Sequence, residues 1–242
     1  MEVRDGVGKL PRHAPLLAAT PHLLDTVPRV SDMHIISIIG SAGRGNDAKH
    51  LSEDLYEAMY AEALDTVRRF DIEIAASGGA AFADHIAVSL FLRGDVKGLR
   101  LYLPAAFDGK AYVPNARIQS NPGRTANDYH ASFRESCGID GLAEIAQAIR
   151  NGAHVETYAG FKRRNLEVAR CCSHMLAYTF GTAPSAEFLP GSDGFTAAKE
   201  AGLKDGGTAH TWGECWKAEW KRHVDLFELA ETITATPTSP TI

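Results

Sequence analysis

A chain of 242 residues, 45% hydrophobic and 23% charged, has enough material for one large domain with a sizeable core, since domains commonly run to about 100–200 residues. No apolar run approaches the ~20 residues that a membrane helix needs, and the opening MEVRDGVGKLPRHAPLL lacks the form of a signal peptide, so a cytoplasmic protein without a membrane partner is expected. The formal net charge of -5 argues against a general electrostatic grip on nucleic acid and leaves only local anion binding.

Cys137, Cys171, Cys172 and Cys215 form no Cys-x-x-Cys unit, and the ten histidines include no His-Glu-x-x-His helix. Reduced structural thiols, no resident metal and no cofactor are the expectation.

Residues 1–32 place Pro11, Pro15, Pro21 and Pro28 around short apolar patches, the pattern of an irregular N-terminal extension. The main domain is expected over residues 33–231. MHIISIIG (33–40) is a continuous isoleucine-rich run, as in a strand buried on both faces of a parallel sheet. LSEDLYEAMYAEALDTVRRF (51–70) follows with Leu51, Leu55, Met59, Ala63, Val67 and Phe70 at helical spacing, and Ser52 is placed to cap it. IEIAASGG (72–79) reads as a second strand, ADHIAVSLFLRG as a second helix and LRLYLPA (99–105) as a third strand.

The Asn-, Gly- and Pro-rich stretch FDGKAYVPNARIQSNPGRTANDYH is long for a plain connection, and such loops often wall a site. Helical patterns in NDYHASFRESCG and GLAEIAQAIRNG, a strand at HVETY (154–158), a helix at KRRNLEVARCC and an apolar run at HMLAYTFG (174–181) come next. A late helix is expected at GFTAAKEAG, then a helical stretch carrying Trp212, Trp216 and Trp220 at a spacing of four, which suits core packing. Residues 232–242 are expected to fray as a flexible tail. Strands alternating with helices predict a doubly wound, mostly parallel α/β sheet in a single Rossmann-like domain.

In such sheets ligands bind beyond the carboxyl ends of the strands. Four glycine-bearing loops fall there: GSAGRG with Gly40, Ser41, Gly43 and Arg44; SGGAAFADH with Gly78, Gly79, Asp84 and His85; TFGTAPS with Gly181; and DGGTAHTW with Gly206, Gly207 and Thr208. Glycine lets the chain approach an anion, and helix starts supply unpaired N–H donors. GSAGRG has neither the dinucleotide-binding spacing nor a Walker A ending, so each loop alone is equally a plain turn.

Arg44 is either a solvated arginine or a bidentate phosphate fork. Asp84 either caps the second helix or serves as a ribose ligand or general base. Arg163, Arg164 and Asn165 begin a helix, a poor place for two cations unless they answer an anion. Asn127 and His130, in the long central stretch, are a helix cap and a half-buried residue or else ligand contacts.

Taken in order, GSAGRG, Ser-Gly-Gly-Ala with Asp-His, Leu-Tyr-Leu-Pro, and Arg-Asn-x-x-Val-Ala before Ala-Tyr-Thr-Phe-Gly resemble the SLOG superfamily over about residues 33–225. That group includes the Lonely Guy phosphoribohydrolases and the DNA-processing protein A family. The resemblance implies a nucleotide or nucleotide derivative bound at the sheet edge. Ser41, Gly43 and Arg44 would contact it from one loop, Gly78 and Gly79 from the next, and Arg164 and Asn165 would form the wall between them.

Gly206, Gly207 and Thr208 would hold phosphate as the family's Gly-Gly-x-Gly-Thr-x-x-Glu loop does. Here the second glycine of that loop is missing, and Glu214 stands one position beyond the family's catalytic glutamate. Cleavage of an N-glycosidic bond would fall to Asp84 or Glu214. A non-catalytic sensor or sponge for a nucleotide signal, and a DNA-handling protein, are the alternatives. Homo-oligomerisation is left open.

Overall fold

Alternation within the first apolar run sets the sheet. In the computed structural model, which describes residues 34–117, 119–181 and 206–235, β1 (Ile35–Gly40) turns Ile36 and Ile38 to one face and Ile35 and Ile39 to the other, all four buried. Burying each such side chain contributes about 1.5–3 kcal/mol relative to exposure. A short 3-10 turn (Gly45–His50) leads to α1 (Glu53–Arg69), where the Ser52 hydroxyl accepts the first-turn Leu55 N–H at 3.2 Å as the sequence predicts.

Then follow β2 (Ile74–Ser77), a 3-10 turn (Phe82–His85) running into α2 (Ile86–Leu92), and β3 (Gly98–Leu103). The long central stretch comes next, pinned by a two-point clasp: the Asn127 carboxamide accepts from Tyr112 N and donates to Tyr112 O, both at 2.9 Å. It delivers the chain to α3 (Pro122–Cys137), α4 (Gly141–Arg150), β4 (His154–Thr157), α5 (Phe161–Arg170) and β5 (His174–Thr179). After residue 205 come α6 (Gly207–Glu214), β6 (Trp220–Asp225) and α7 (Leu226–Ala235).

The strands form one six-stranded sheet in the order β4-β3-β2-β1-β5-β6, parallel at every pairing. The chain walks outward from β1 to β4, then crosses to the other side of β1 for β5 and β6. This doubly wound α/β arrangement is the expected fold class, and its reversal falls between β1 and β5, where Gly40 is in register with Tyr178. One face packs on Leu55 and Met59 of α1, Ile86 and Leu90 of α2, Phe133 of α3 and Leu226 of α7. The opposite face packs on Val168 and Ala169 of α5 and on Cys172 and Cys215.

Two expectations are corrected. The tryptophans do not share a helix: Trp212 lies on α6, Trp216 sits 75% exposed on the following turn, and Trp220 opens β6, an edge strand unforeseen in the sequence. Residues 232–235 belong to α7 and not to a fraying tail. The N-terminal extension (1–32), the late helix expected at GFTAAKEAG and residues 236–242 lie outside the described residues. Among the described residues no helix is long and apolar enough to cross a membrane.

Candidate functional site

A cleft of about 770 Å³ opens beyond the carboxyl ends of β1 and β5. One side is built from Gly40, Ser41 and Arg44 of the first loop, with Asp47 of the 3-10 turn. The opposite wall is α5 and α6, contributing Phe161, Arg164, Asn165, Gly206, Gly207 and Thr208. Thr125 and Tyr129 of α3 complete the lining.

Both wall helices begin without a capping side chain, because the residue ahead of each is glycine: Gly160 at φ +93° and Gly206 at φ +88°. Among the described residues, the first three N–H groups of each helix have no intrahelical or side-chain acceptor, and they carry the partial positive charge of the helix start. The two starts are locked in relative position by one acceptor. The Gly207 carbonyl takes hydrogen bonds from Asn165 Nδ2 of α5 at 3.2 Å and from Thr211 Oγ1 of α6 at 2.8 Å.

Beneath this wall lies a buried ion pair. Arg164 Nη1 donates to Asp84 Oδ2 at 3.0 Å, and the same carboxylate accepts from Gly40 N and Gly78 N, each at 3.2 Å. One side chain thus ties the end of β1, the loop after β2 and the first turn of α5. Arg164 Nε is buried and has no hydrogen-bond partner among the described residues.

Gly78 makes room for this pair. A Cβ there would lie 0.9 Å from Arg164 Nη1, so no other residue fits without expelling the guanidinium.

The guanidinium of Arg44 is exposed and makes no ion pair or hydrogen bond among the described residues. Asp47 is buried, and its carboxylate accepts from Ser41 Oγ at 2.8 Å.

Nine of the residues singled out in the sequence thus meet in one cleft: Gly40, Ser41, Arg44, Asp84, Arg164, Asn165, Gly206, Gly207 and Thr208. Others do not line it. The amides of Gly78 and Gly79 face inward, donating to Asp84 and to Ser77 Oγ, and Gly43 N donates to Ser41 Oγ in a turn packed on Leu51. Gly181 N donates to Asp225 Oδ1. Glu214 ends α6 at the pole opposite the cleft, and Asn127 is engaged in its clasp on Tyr112.

His85 and His130 sit behind the second loop as a buried edge-to-face pair with centroids 6.0 Å apart. His85 Nε2 meets Glu144 Oε2 at 2.8 Å. His130 Nε2 lies 3.2 Å from the Gly79 carbonyl, which can only accept, so the neutral ring carries its proton on Nε2. Burial first, and the neighbouring His85 second, push the His130 pKa down to about 3. Neither ring has a partner for Nδ1 among the described residues.

The sequence reading missed Asp47, Thr125, Tyr129, Phe161, Thr179 and Thr211 as cleft residues. Asp47 stands two residues past GSAGRG and was open to suspicion as a carboxylate beside a candidate anion loop. Tyr129 and Phe161 carry no local signal, since only the crossover topology brings α3 and α5 over the end of β1.

No family model matches the chain. The chain is similar to the "Uncharacterized protein R261" of Acanthamoeba polyphaga mimivirus, with 31% identity over 157 residues, 62% of this chain and 83% of that protein. At that identity and coverage, the chain belongs to the same protein family as this mimivirus protein.

Proposed function

We propose that the chain is a nucleotide-binding domain of the SLOG type, holding a nucleotide or nucleotide derivative in the cleft between β1 and β5. The observation that carries this reading is the convergence, at the reversal of strand order, of two uncapped helix starts with Arg44 and Arg164. Anionic phosphate answers the helix starts and the Arg44 guanidinium. Tyr129 and Phe161 offer aromatic faces to a base, and the volume of about 770 Å³ falls in the range of small-molecule sites, about 300–1,000 Å³.

Binding is favoured over hydrolysis. Splitting an N-glycosidic bond needs a carboxylate able to activate water. Asp84 already accepts three hydrogen bonds, and Glu214 lies away from the cleft. Among the described residues Asp47 is the other carboxylate in the cleft lining, and it supports hydrolysis as a second reading.

Calorimetric titration with AMP, ADP, ATP and NAD, paired with chromatographic assay for released base, tests both. Saturable binding of at least one of these without base release is expected. No heat with any of them up to about 1 mM, a limit near -4 kcal/mol of binding free energy, would remove the nucleotide reading. Base release abolished in Asp47→Asn would establish the hydrolase instead.

A further inference from the structure

Two cysteines 43 residues apart in sequence are in sulfur contact. Cys172, just beyond the end of α5, and Cys215, which closes α6, have their Sγ atoms 3.5 Å apart in the core beneath those helices, and both are buried free thiols. We propose that Cys172 and Cys215 are a modification site, a dithiol that a small hydroperoxide such as hydrogen peroxide converts reversibly to an intramolecular disulfide. This goes beyond the nucleotide reading and does not depend on it.

A disulfide holds its sulfurs at about 2.05 Å. Closing the 3.5 Å contact therefore takes about 1.5 Å of approach, divided between two side chains. The thiols are unequal. Lys221 Nζ donates to Trp212 O at 2.8 Å and Cys215 O at 3.4 Å, which sets an ammonium beside Cys215. The hydrogen bond from Cys172 and then the Lys221 charge, set against burial, lower the Cys215 pKa, whereas Cys172 is raised. The ammonium of Lys221 stands beside Cys215, which makes Cys215 the attacking sulfur and Cys172 the resolving one.

Cys171 is turned aside, with its Sγ at 3.4 Å from Val168 O and 3.7 Å from Ser37 Oγ. Cys137 lies in the core on the opposite face of the sheet, its thiol pushed up to about 12 by burial. Cys215 is itself buried, and the residue that follows it, Trp216, is 75% exposed at the start of a turn.

In the first step the Cys215 thiolate attacks a peroxide oxygen and the O–O bond breaks. This gives a sulfenic acid and a hydroxide that is protonated to water. The Cys172 sulfur then attacks the Cys215 sulfur, the S–O bond breaks, and the departing hydroxide leaves with the Cys172 proton as a second water. Two thiols lose two electrons to one peroxide, leaving one disulfide and two waters.

The test treats the full chain with hydrogen peroxide, alkylates the remaining thiols after denaturation, and maps peptides by mass spectrometry without reductant. The expected result is a fall from four free thiols to two, with a Cys172–Cys215 cross-linked peptide that dithiothreitol releases. Cys137→Ser should keep the cross-link, and Cys215→Ser and Cys172→Ser should lose it. Should a serine variant fail to fold, the wild-type peptide map decides alone. Four thiols still titratable, a bond to Cys171, or sulfinic acid on Cys215 with Cys172 intact would each overturn the proposal. All of these are covalent readouts, so they stand whether or not the cleft binds a nucleotide.

Discussion

Arg164 Nη1 and Asp84 Oδ2 meet at 3.0 Å with the two side chains only 9% and 5% exposed. Removing one partner of such a pair strands the other charge in low dielectric, which costs about 3–5 kcal/mol. Asp84→Ala should therefore lower the urea midpoint sharply, and should do so in the absence of any ligand. The paired variant Asp84→Asn, Arg164→Gln should lose less than the sum of the two single changes, a coupling that a double-mutant cycle measures.

Arg44 presents the opposite case, an exposed cation on the cleft rim with no ion-pair partner among the described residues to strand. Arg44→Ala should leave stability within about 0.5 kcal/mol. Nucleotide affinity should fall about tenfold or more, as expected for loss of a charge-assisted phosphate contact of about 1.5–3 kcal/mol. Unchanged affinity by calorimetry would take Arg44 out of the site.

Gly78→Ala is the sharpest steric test, because the added carbon would overlap Arg164 Nη1 at 0.9 Å. The arginine must leave its bond to Asp84, so both stability and ligand affinity should drop. Gly109→Ala, away from the cleft, serves as the comparison: its Cβ would meet nothing within 4 Å, and only the strain of φ +92° remains. Thermal melts and the same titrations on both variants separate the two effects.

His130 predicts a response to acid. Its folded pKa near 3 lies below the unfolded value of about 6.5, so between those values the unfolded chain binds more protons. The stability gained by keeping the ring neutral is complete above about pH 6.5 and is lost as pH falls towards 3, up to about 5 kcal/mol for the full shift. His130→Gln, which keeps a donor for the Gly79 carbonyl, should flatten the fall in denaturation midpoint across that window. His174 and His223, also lowered chiefly by burial, remain in both proteins and cancel in the difference.

The sheet could be read from the sequence where burial is two-sided. Ile35 to Ile39 give an unbroken apolar signal because both faces are covered, and the Ser52 cap marks the start of α1 without ambiguity. β6 was hidden because an edge strand, WKRHVD, is only half-buried and keeps its charged residues, so its tryptophan looked like the next step of a helix.

In the site, the arginines were legible and the orientation of the backbone was not. Glycine in SGGA signals a close approach, but nothing local tells whether a ligand or the chain's own Arg164 makes it. His85 and His130 were singled out as polar side chains in a glycine-rich or irregular stretch. Their burial against Phe133 and Tyr112 depends on α3 packing, which has no counterpart in local spacing.

The cleft's walls come from both halves of the winding, the β1 loop on one side and the α5–α6 pair on the other. A molecule lodged there acts as a strut between segments more than a hundred residues apart, so its grip is shared with the cooperative unfolding of the whole domain. Melting temperature consequently becomes a ligand detector: free compound at one hundred times its dissociation constant adds about 2.7 kcal/mol. A library screened by thermal shift can thus find the natural occupant without any assay of its chemistry.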